Sequence, residues 1–316
     1  MGGHWYSQRA GALRGGDADV TLVGMTVMST ADHVDPLSRL AALVSGGGVT
    51  VLSGAGLSTE SGIPDYRGPT GLARRQAPMQ FAVFVADPQA RRRYWARSYL
   101  GWRHLAGALP NVGHRAVARL QSRGLVQAVI TQNVDGLHQA AGAREVVELH
   151  GGLDRVVCLG CGQLTSRRGL DARLRIANPD WVARVLAVNP DGDVDVEEID
   201  VAGFEPVDCA DCGGLLKPDV VFFGESVPPE RVQQCFALVE RARLLLVLGS
   251  SLTVMSGRRF VLRAAKVGVP VAIVNQGPTR GDAHALVVLD GPLGVLLPRL
   301  VAEATEATVR YQGAGS

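Results

Sequence analysis

The chain has 316 residues, 47% of them hydrophobic, and its 32 Lys and Arg against 30 Asp and Glu leave a formal net charge of +2. That length suits one large core with a smaller module. A nearly balanced charge lacks the concentrated basic excess of a phosphate-tracking surface, which argues against general nucleic-acid binding and directs attention to a local site.

Residues 1–33 contain arginines, glycines and acids but no continuous apolar leader, and no later run reaches the roughly eighteen apolar residues needed to span a bilayer. A weakly ordered tail and a soluble cytoplasmic protein with no membrane contact are expected. Pro36 to Ser45 carries helical spacing at Leu37, Leu40 and Leu43-Val44, and Gly46-Gly47-Gly48 ends it before an apolar run from Val49 to Leu52. Further short apolar runs recur at Val126–Ile130, Val146–Leu149, Leu244–Leu248 and Val269–Val274. Doubly buried strands separated by helical stretches predict an α/β fold, a doubly wound parallel sheet. Ligands in that architecture bind beyond the carboxyl ends of the strands, where Gly54, Gln132-Asn133, His150, Gly249-Ser250 and Asn275 fall.

Two stretches interrupt the alternation. Tyr66 to Asn111 reads as helical and aromatic, and Leu153 to Lys217 holds four paired cysteines. The expected division is a nucleotide-binding domain of residues 34–65, 112–152 and 219–305, a small helical and metal-binding domain of 66–111 and 153–218, and a tail from 306 to 316.

Cys158-x-x-Cys161 and Cys209-x-x-Cys212 are the most specific signal. Each pair is followed by glycine, Gly162 or Gly213, as in knuckles whose tight turn aims amides at thiolate sulfur. Four thiolates satisfy tetrahedral zinc and leave no position for water, so a structural Zn²⁺ is expected, stapling a module without a core of its own. Cys235 is left over as a small core residue.

The run Gly54-Ala55-Gly56-Leu57-Ser58-Thr59 follows the first strand and admits two readings, a tight turn or a phosphate loop whose amides open a helix. The ordinary dehydrogenase fingerprint would place a third glycine where Thr59 stands and an acid about twenty positions on, where arginines stand instead. Gln132, Asn133 and Asp135 group an amide pair and a carboxylate at the next strand end, where Asn and Asp also serve as caps. His150 closes the following strand ahead of two glycines, which leaves its ring open to a ligand.

Taken together these residues resemble the sirtuin family, the NAD-dependent protein-lysine deacylases. The resemblance runs from about Pro36 to Leu297 through the Gly-Ala-Gly-x-Ser loop, Gly62-Ile63-Pro64-Asp65-Tyr66-Arg67, Thr131-Gln132-Asn133-Val134-Asp135, Glu148-Leu149-His150-Gly151, the cysteines, Lys217 to Glu225, Gly249-Ser250-Ser251-Leu252 and Val274-Asn275. Tyr94-Trp95-Ala96-Arg97, Leu216 to Asp219 and Gly277-Pro278-Thr279-Arg280 look most like the class II branch, which includes the mitochondrial sirtuin described as a lipoamidase and ADP-ribosyltransferase.

The resemblance implies a sirtuin-type transferase that consumes NAD as co-substrate, acts on acyl-lysine proteins or peptides, and yields nicotinamide, free lysine and O-acyl-ADP-ribose. Gly54, Ala55, Gly56, Ser58, Thr59, Pro64, Asp65, Tyr66 and Arg67 correspond to the cofactor loop. Gln132, Asn133 and Asp135 correspond to the ribose and nicotinamide pocket, and Gly249, Ser250, Ser251, Asn275, Gln276 and Gly277 to the adenosine side. His150, aided by Asn133 and Asp135, is the expected catalytic centre, its imidazole taking a proton from a ribose hydroxyl. Val220, Val221, Phe222, Gly224 and Glu225 resemble the edge to which a substrate peptide adds a strand. Tyr94 and Arg97 resemble the Tyr-x-x-Arg pair that reads an acidic acyl chain in the desuccinylating sirtuins, which implies succinyl, malonyl or glutaryl groups as candidates, against the plainer reading of an exposed arginine beside a core tyrosine. Mono-ADP-ribosyl transfer and a silent NAD-binding module remain as alternative activities.

Overall fold

The computed structural model describes residues 35–65, 78–189, 194–196 and 201–313; Tyr66, Arg67 and the expected tail of 1–33 lie outside them. In chain order the described elements are α1 (Pro36–Ser45), β1 (Val49–Ser53), 3-10 turns at Ala55–Leu57 and Thr59–Ser61, α2 (Phe81–Ala86), α3 (Pro88–Ala106), α4 (Val112–Ser122), β2 (Val126–Thr131), α5 (Leu137–Ala140) and β3 (Val146–Glu148). There follow β4 (Gly151–Cys158), β5 (Leu164–Ser166), α6 (Arg167–Ala177), β6 (Val185–Val188), β7 (Val194–Val196), β8 (Leu216–Val220), α7 (Pro229–Glu240), β9 (Leu244–Leu248), α8 (Met255–Val267), β10 (Val271–Asn275), β11 (Val287–Asp290) and α9 (Leu293–Gly313).

Six strands form one parallel sheet in the order β11-β10-β9-β1-β2-β3. The run Leu244–Leu248 shows why continuous apolar sequence becomes a central strand. Leu244, Leu246 and Leu248 enter a core shared with Leu37, Leu40 and Val44 of α1, Val117 and Leu120 of α4 and Leu297 of α9. Leu245 and Val247 turn to the opposite core, against Cys235 and Val239 of α7 and Phe260 and Val261 of α8. Side chains alternate faces along a strand, so a strand covered on both faces must be apolar throughout. Cys235 is fully buried there, as expected.

The chain leaves β1 toward β2 and β3 in one direction and reaches β10 and β11 from β9 in the other, so the strand order reverses between β1 and β9. Their register aligns Ser53 with Leu248 on one side and with Thr131 on the other. The crevice beyond those ends is the ligand position the architecture favours. β11 and α9 are the parts the apolar runs missed; Val288 and Asp290 face outward on this edge strand, so its hydrophobic signal is halved. α9 continues through Gly313, so the expected tail from 306 is helical as far as the described residues reach.

The second module differs from expectation in one respect: it has a core. Phe84, Tyr94, Trp95, Tyr99, Leu170, Leu174 and Phe204 are buried in one cluster with Cys158 and Cys209. Edge-to-face ring pairs link Phe84 to Tyr94 at 5.4 Å and Trp181 to Phe204 at 4.8 Å. Aromatics spaced along α2 and α3 meet partners from residues 153–220 that no local pattern exposes. β4 also pairs antiparallel with β5 and β8, and β4 and β8 each run across an expected boundary, 152/153 and 218/219.

The four cysteines come together in this module, all four Sγ atoms within 4.8 Å of one another. Gly162 and Gly213 close the knuckles with φ of +74° and +70°. Their amides donate to the Cys158 and Cys209 carbonyls at 2.9 and 3.0 Å, and the Gly160 amide lies 3.3 Å from Cys158 Sγ. Four soft sulfurs with amide support and no histidine or carboxylate fit a closed tetrahedral Zn²⁺ site, whose role is to tie β4 to the segment before β8.

Two outcomes follow from this packing. Replacing Gly249, at φ +61° with a Cβ that would sit 2.5 Å from the Leu57 amide nitrogen, by alanine destabilises the chain by more than about 1 kcal/mol in urea titration. Stripping metal with a chelator, or Cys212→Ala, lowers the thermal midpoint by roughly 5 °C or more, and released metal assays as one zinc per chain.

Candidate active site

At the strand-order reversal, the glycines just past β1, Gly54 and Gly56, lie against Gly249 just past β9. Gly54 and Gly56 donate to the Leu248 and Gly249 carbonyls, each at 2.9 Å. A Cβ at Gly54 would sit 2.7 Å from Ser250 Cβ, and one at Gly56 would sit 3.0 Å from the Gly249 oxygen. These glycines are thus required first by the protein's own backbone crossing. Gly54, at φ −133°, needs no left-handed conformation. The loop then forms two short 3-10 turns rather than opening an α-helix, and the amides of Leu57 and Ser58 donate to Gly54 and Ala55 carbonyls at 3.0 Å. This corrects the expectation of a helix start offering free donors and a dipole end, because those donors are already engaged.

A cleft of about 1410 Å³ opens over this crossing. Gly54, Ala55, Gly56, Ser58, Thr59, Pro64 and Asp65 line it from the β1 side, and Gln132, Asn133, Asp135 and His150 from the ends of β2 and β3. Gly249, Ser250, Ser251, Asn275, Gln276 and Gly277 line it from β9 and β10, and Val220, Val221, Phe222, Gly224 and Glu225 from beyond β8. Residues from every expected group therefore share one wall-to-wall space.

Inside it, Ser58 organises a buried polar cluster. Its hydroxyl donates to Asp135 Oδ2 at 2.6 Å and accepts from Asn133 Nδ2 at 2.9 Å. Asn133 Nδ2 also donates to the Gly54 carbonyl at 3.1 Å, which pins the amide to the glycine loop. Burial pushes the Asp135 carboxyl above the usual carboxylate range, opposed by the bonds from Ser58 and the Leu137 amide. Beneath the cluster, His114 and His138 lie with ring centroids 5.2 Å apart, and burial holds them down at about 4 and about 3. They are neutral packing and hydrogen-bonding groups at physiological pH.

His150 is held at both nitrogens. Nδ1 lies 2.9 Å from the Gln132 carbonyl oxygen and Nε2 lies 2.9 Å from Ser256 Oγ. A carbonyl only accepts, so Nδ1 carries the proton, Nε2 presents its lone pair and the Ser256 hydroxyl donates to it. Burial lowers the His150 pKa below the ordinary histidine value; the bond to the Gln132 carbonyl opposes this, and the charges of Arg231 and Arg259 add to it. The outcome is a neutral imidazole with a basic Nε2 facing the cleft.

The chain beyond His150 also shapes the wall beyond β8. Gly151, at φ +83°, lets β8 cross closely, and Val221 donates to the His150 carbonyl at 2.8 Å. Glu225 accepts from the Phe222 amide at 2.9 Å and pairs at 3.1 Å with the buried Lys217, whose ammonium lies 4.7 Å from the Phe222 ring centre. Tyr94 is buried, lines the cleft and meets Phe222 edge-on at 5.1 Å. Arg97 is not brought to the cleft lining; its Nε donates to the Val194 carbonyl at 2.8 Å.

Sequence reasoning missed Ser256, Gly257, Arg259 and the structural part of Lys217. Ser256 and Arg259 line the cleft from the start of α8. The signal available was the helix start after Gly249-Ser250-Ser251-Leu252, which lacks a side-chain cap despite a serine in its first turn.

The cleft fits a dinucleotide. Its volume exceeds that of an ordinary small-ligand pocket, its floor at Gly54, Gly56 and Gly249 is bare backbone, and polar groups converge at one end. Comparisons with known proteins agree. The Sir2 family model matches residues 54–256. A Streptomyces coelicolor protein named NAD-dependent protein deacetylase 1 is 59% identical over 261 residues, covering 83% of this chain and 87% of the relative. A Mycobacterium avium protein of the same name is 52% identical over 270 residues, covering 84% and 94%. Two solved structures, one described as Sir2 bound to acetylated peptide and one a Sir2 complex with a peptide and NAD⁺, match with TM-scores of 0.68 at 29% and 30% identity, each covering 85% of this chain and 98% of the other. The chain belongs to the Sir2 family of sirtuins.

Proposed function

We propose that the protein is an NAD-dependent protein-lysine deacylase that releases nicotinamide and transfers the acyl group to ADP-ribose. The observation that carries this reading is the neutral His150 facing a cleft shared with the Asn133–Ser58–Asp135 cluster. When bound, NAD supplies a ribose carbon that becomes electrophilic as the bond to nicotinamide breaks. Asn133 and Ser58, fixed to the glycine loop, orient the sugar. Asp135, in a buried and polar setting, presents a carboxyl to the same end of the cleft. Nε2 of His150 takes the proton of a ribose hydroxyl, while Nδ1 keeps its own proton and goes on donating it to the Gln132 carbonyl. The backbone of Val220 to Glu225 receives the substrate peptide as an added strand, and the apolar wall of Tyr94 and Phe222 surrounds the acyl-lysine chain and excludes water.

Within the family, the class II assignment rests on the Tyr94 to Arg97, Leu216 to Asp219 and Gly277 to Arg280 motifs. Arg97 stands outside the cleft lining with its Nε on the Val194 carbonyl, so reading a succinyl, malonyl or glutaryl group would require its terminal guanidinium nitrogens to be brought to the acyl chain.

A panel of acyl-lysine peptides incubated with NAD and read by mass spectrometry tests the reaction, with free lysine and O-acyl-ADP-ribose as expected products. ADP-ribosylated protein without deacylated peptide would identify the transferase alternative, and absence of nicotinamide release would identify a binding module. In the same assay His150→Ala lowers turnover by roughly 10²- to 10⁴-fold while the chain stays folded. Arg97→Met leaves acetyl-lysine and succinyl-lysine turnover both within about threefold of wild type; a selective loss on succinyl-lysine would instead establish Arg97 as an acid reader, since removing one charge-assisted pair costs on the order of tenfold or more.

A further inference from the structure

Ser256 occupies the first turn of α8, a helix whose N-cap is Val254 with no side-chain cap. A serine there would ordinarily bond its own helix. Here its hydroxyl instead meets His150 Nε2 at 2.9 Å. The neighbouring Gly257 explains how the turn comes so close, because a Cβ at that position would lie 2.7 Å from Gln132 Cδ. Gln132 in turn donates to Ser250 Oγ at 2.9 Å and gives its carbonyl to His150 Nδ1. The start of α8 is therefore pressed onto the strand-end loop, and Ser256 is held against the one ring nitrogen that has a lone pair.

We propose that Ser256 is a positioning residue for the base: its hydroxyl donates to Nε2 of the resting His150, gives way to the substrate hydroxyl, and turns to accept from Nε2–H once the proton has been transferred. This inference rests on the deacylase reading for its substrate step. The balance is simple. The ribose O–H bond breaks, the Nε2–H bond forms, and the oxygen keeps the electron pair for attack on the acyl carbon. Once that oxygen has entered its new bond it is a poor acceptor, and the new Nε2–H needs another one.

The setting makes such an acceptor valuable. The cations bearing on His150 are Arg231 of α7 and Arg259 of α8, and both disfavour the imidazolium. The carboxylates that share the cleft are Glu60 and Asp65 of the glycine loop, Asp135 after β2 and Glu225 after β8, and none of them is hydrogen-bonded to this ring. A hydroxyl can reverse its role by rotating one proton, and a hydrogen bond from a charged donor is about twice as strong as a neutral one. Ser256 therefore favours the charged over the neutral ring, and its removal makes His150 a weaker base.

The test uses the full chain with ¹³C- and ¹⁵N-labelled imidazoles, titrated by NMR without NAD or peptide, with His150 assigned by comparison with His150→Gln. Ser256→Ala lowers the His150 midpoint by about half a pH unit or more, and Ser256→Thr, which keeps the hydroxyl, stays near wild type. An unchanged or raised midpoint in Ser256→Ala, or an equal shift in both variants, overturns the proposal. If the wild-type midpoint lies below the range where the chain remains folded, the Nε2 ¹⁵N shift at neutral pH decides: it moves in Ser256→Ala and not in Ser256→Thr, and no movement in either overturns the idea. In the peptide assay the acid limb of kcat/KM follows the NMR midpoint, and kcat falls several-fold in Ser256→Ala. A wild type that releases no nicotinamide sinks the deacylase reading but leaves the NMR comparison intact, so the two failures are distinguishable.

Discussion

The site depends on two strand ends that touch backbone to backbone. Gly54 and Gly56 meet Gly249 so closely that a single added carbon collides with neighbouring atoms at Gly54 and Gly249 and is tightly crowded by the Gly249 backbone at Gly56. That contact brings β1 and β9 together at the point where the strand order reverses, and it opens the crevice floor. It also carries Asn133, whose amide reaches the Gly54 carbonyl, and through Ser58 it carries Asp135. Glycine at these positions is usually credited to the ligand. Here the protein's own crossing already demands it, and room for a pyrophosphate is a consequence of the same absence of side chains.

A second constraint fixes the chemistry. The Gln132 carbonyl dictates which nitrogen of His150 carries the proton, so the tautomer is decided by the backbone of the first residue past the end of β2. The cleft thus couples a rigid sheet edge to a ring whose basic nitrogen is aimed by packing. The cysteine-bearing module contributes differently. Its aromatic core presents Tyr94 and Phe222 to the cleft, and its metal knuckles hold together one end of β4 and one end of β8, which pair antiparallel.

Much of the sheet was legible because a doubly covered strand must be apolar at every position, and Val49–Ser53 and Leu244–Leu248 are buried throughout. Edge strand β11, with alternating exposure, carries half that signal. The cysteine pairs were legible because ligand spacing is local. Arg97 shows the limit of such reasoning: three-residue spacing puts it on the face of Tyr94, yet its Nε donates to Val194, distant in sequence and on a strand that no pattern around Arg97 announces.

What the chain settled by itself was the set of elements whose cause is local or periodic: the parallel strands, the zinc knuckles, and the strand-end positions of Gly54, Asn133, His150 and Asn275. Burial on two faces, metal-ligand spacing and turn chemistry are all written within a few residues. Tertiary structure alone decided which groups complete the site. Ser256 reaching His150, Gly257 making room for Gln132, and Lys217 buried beside Glu225 are meetings between distant segments. Hydrogen bonds and close contacts act over about 3 Å, a distance that sequence separation does not encode.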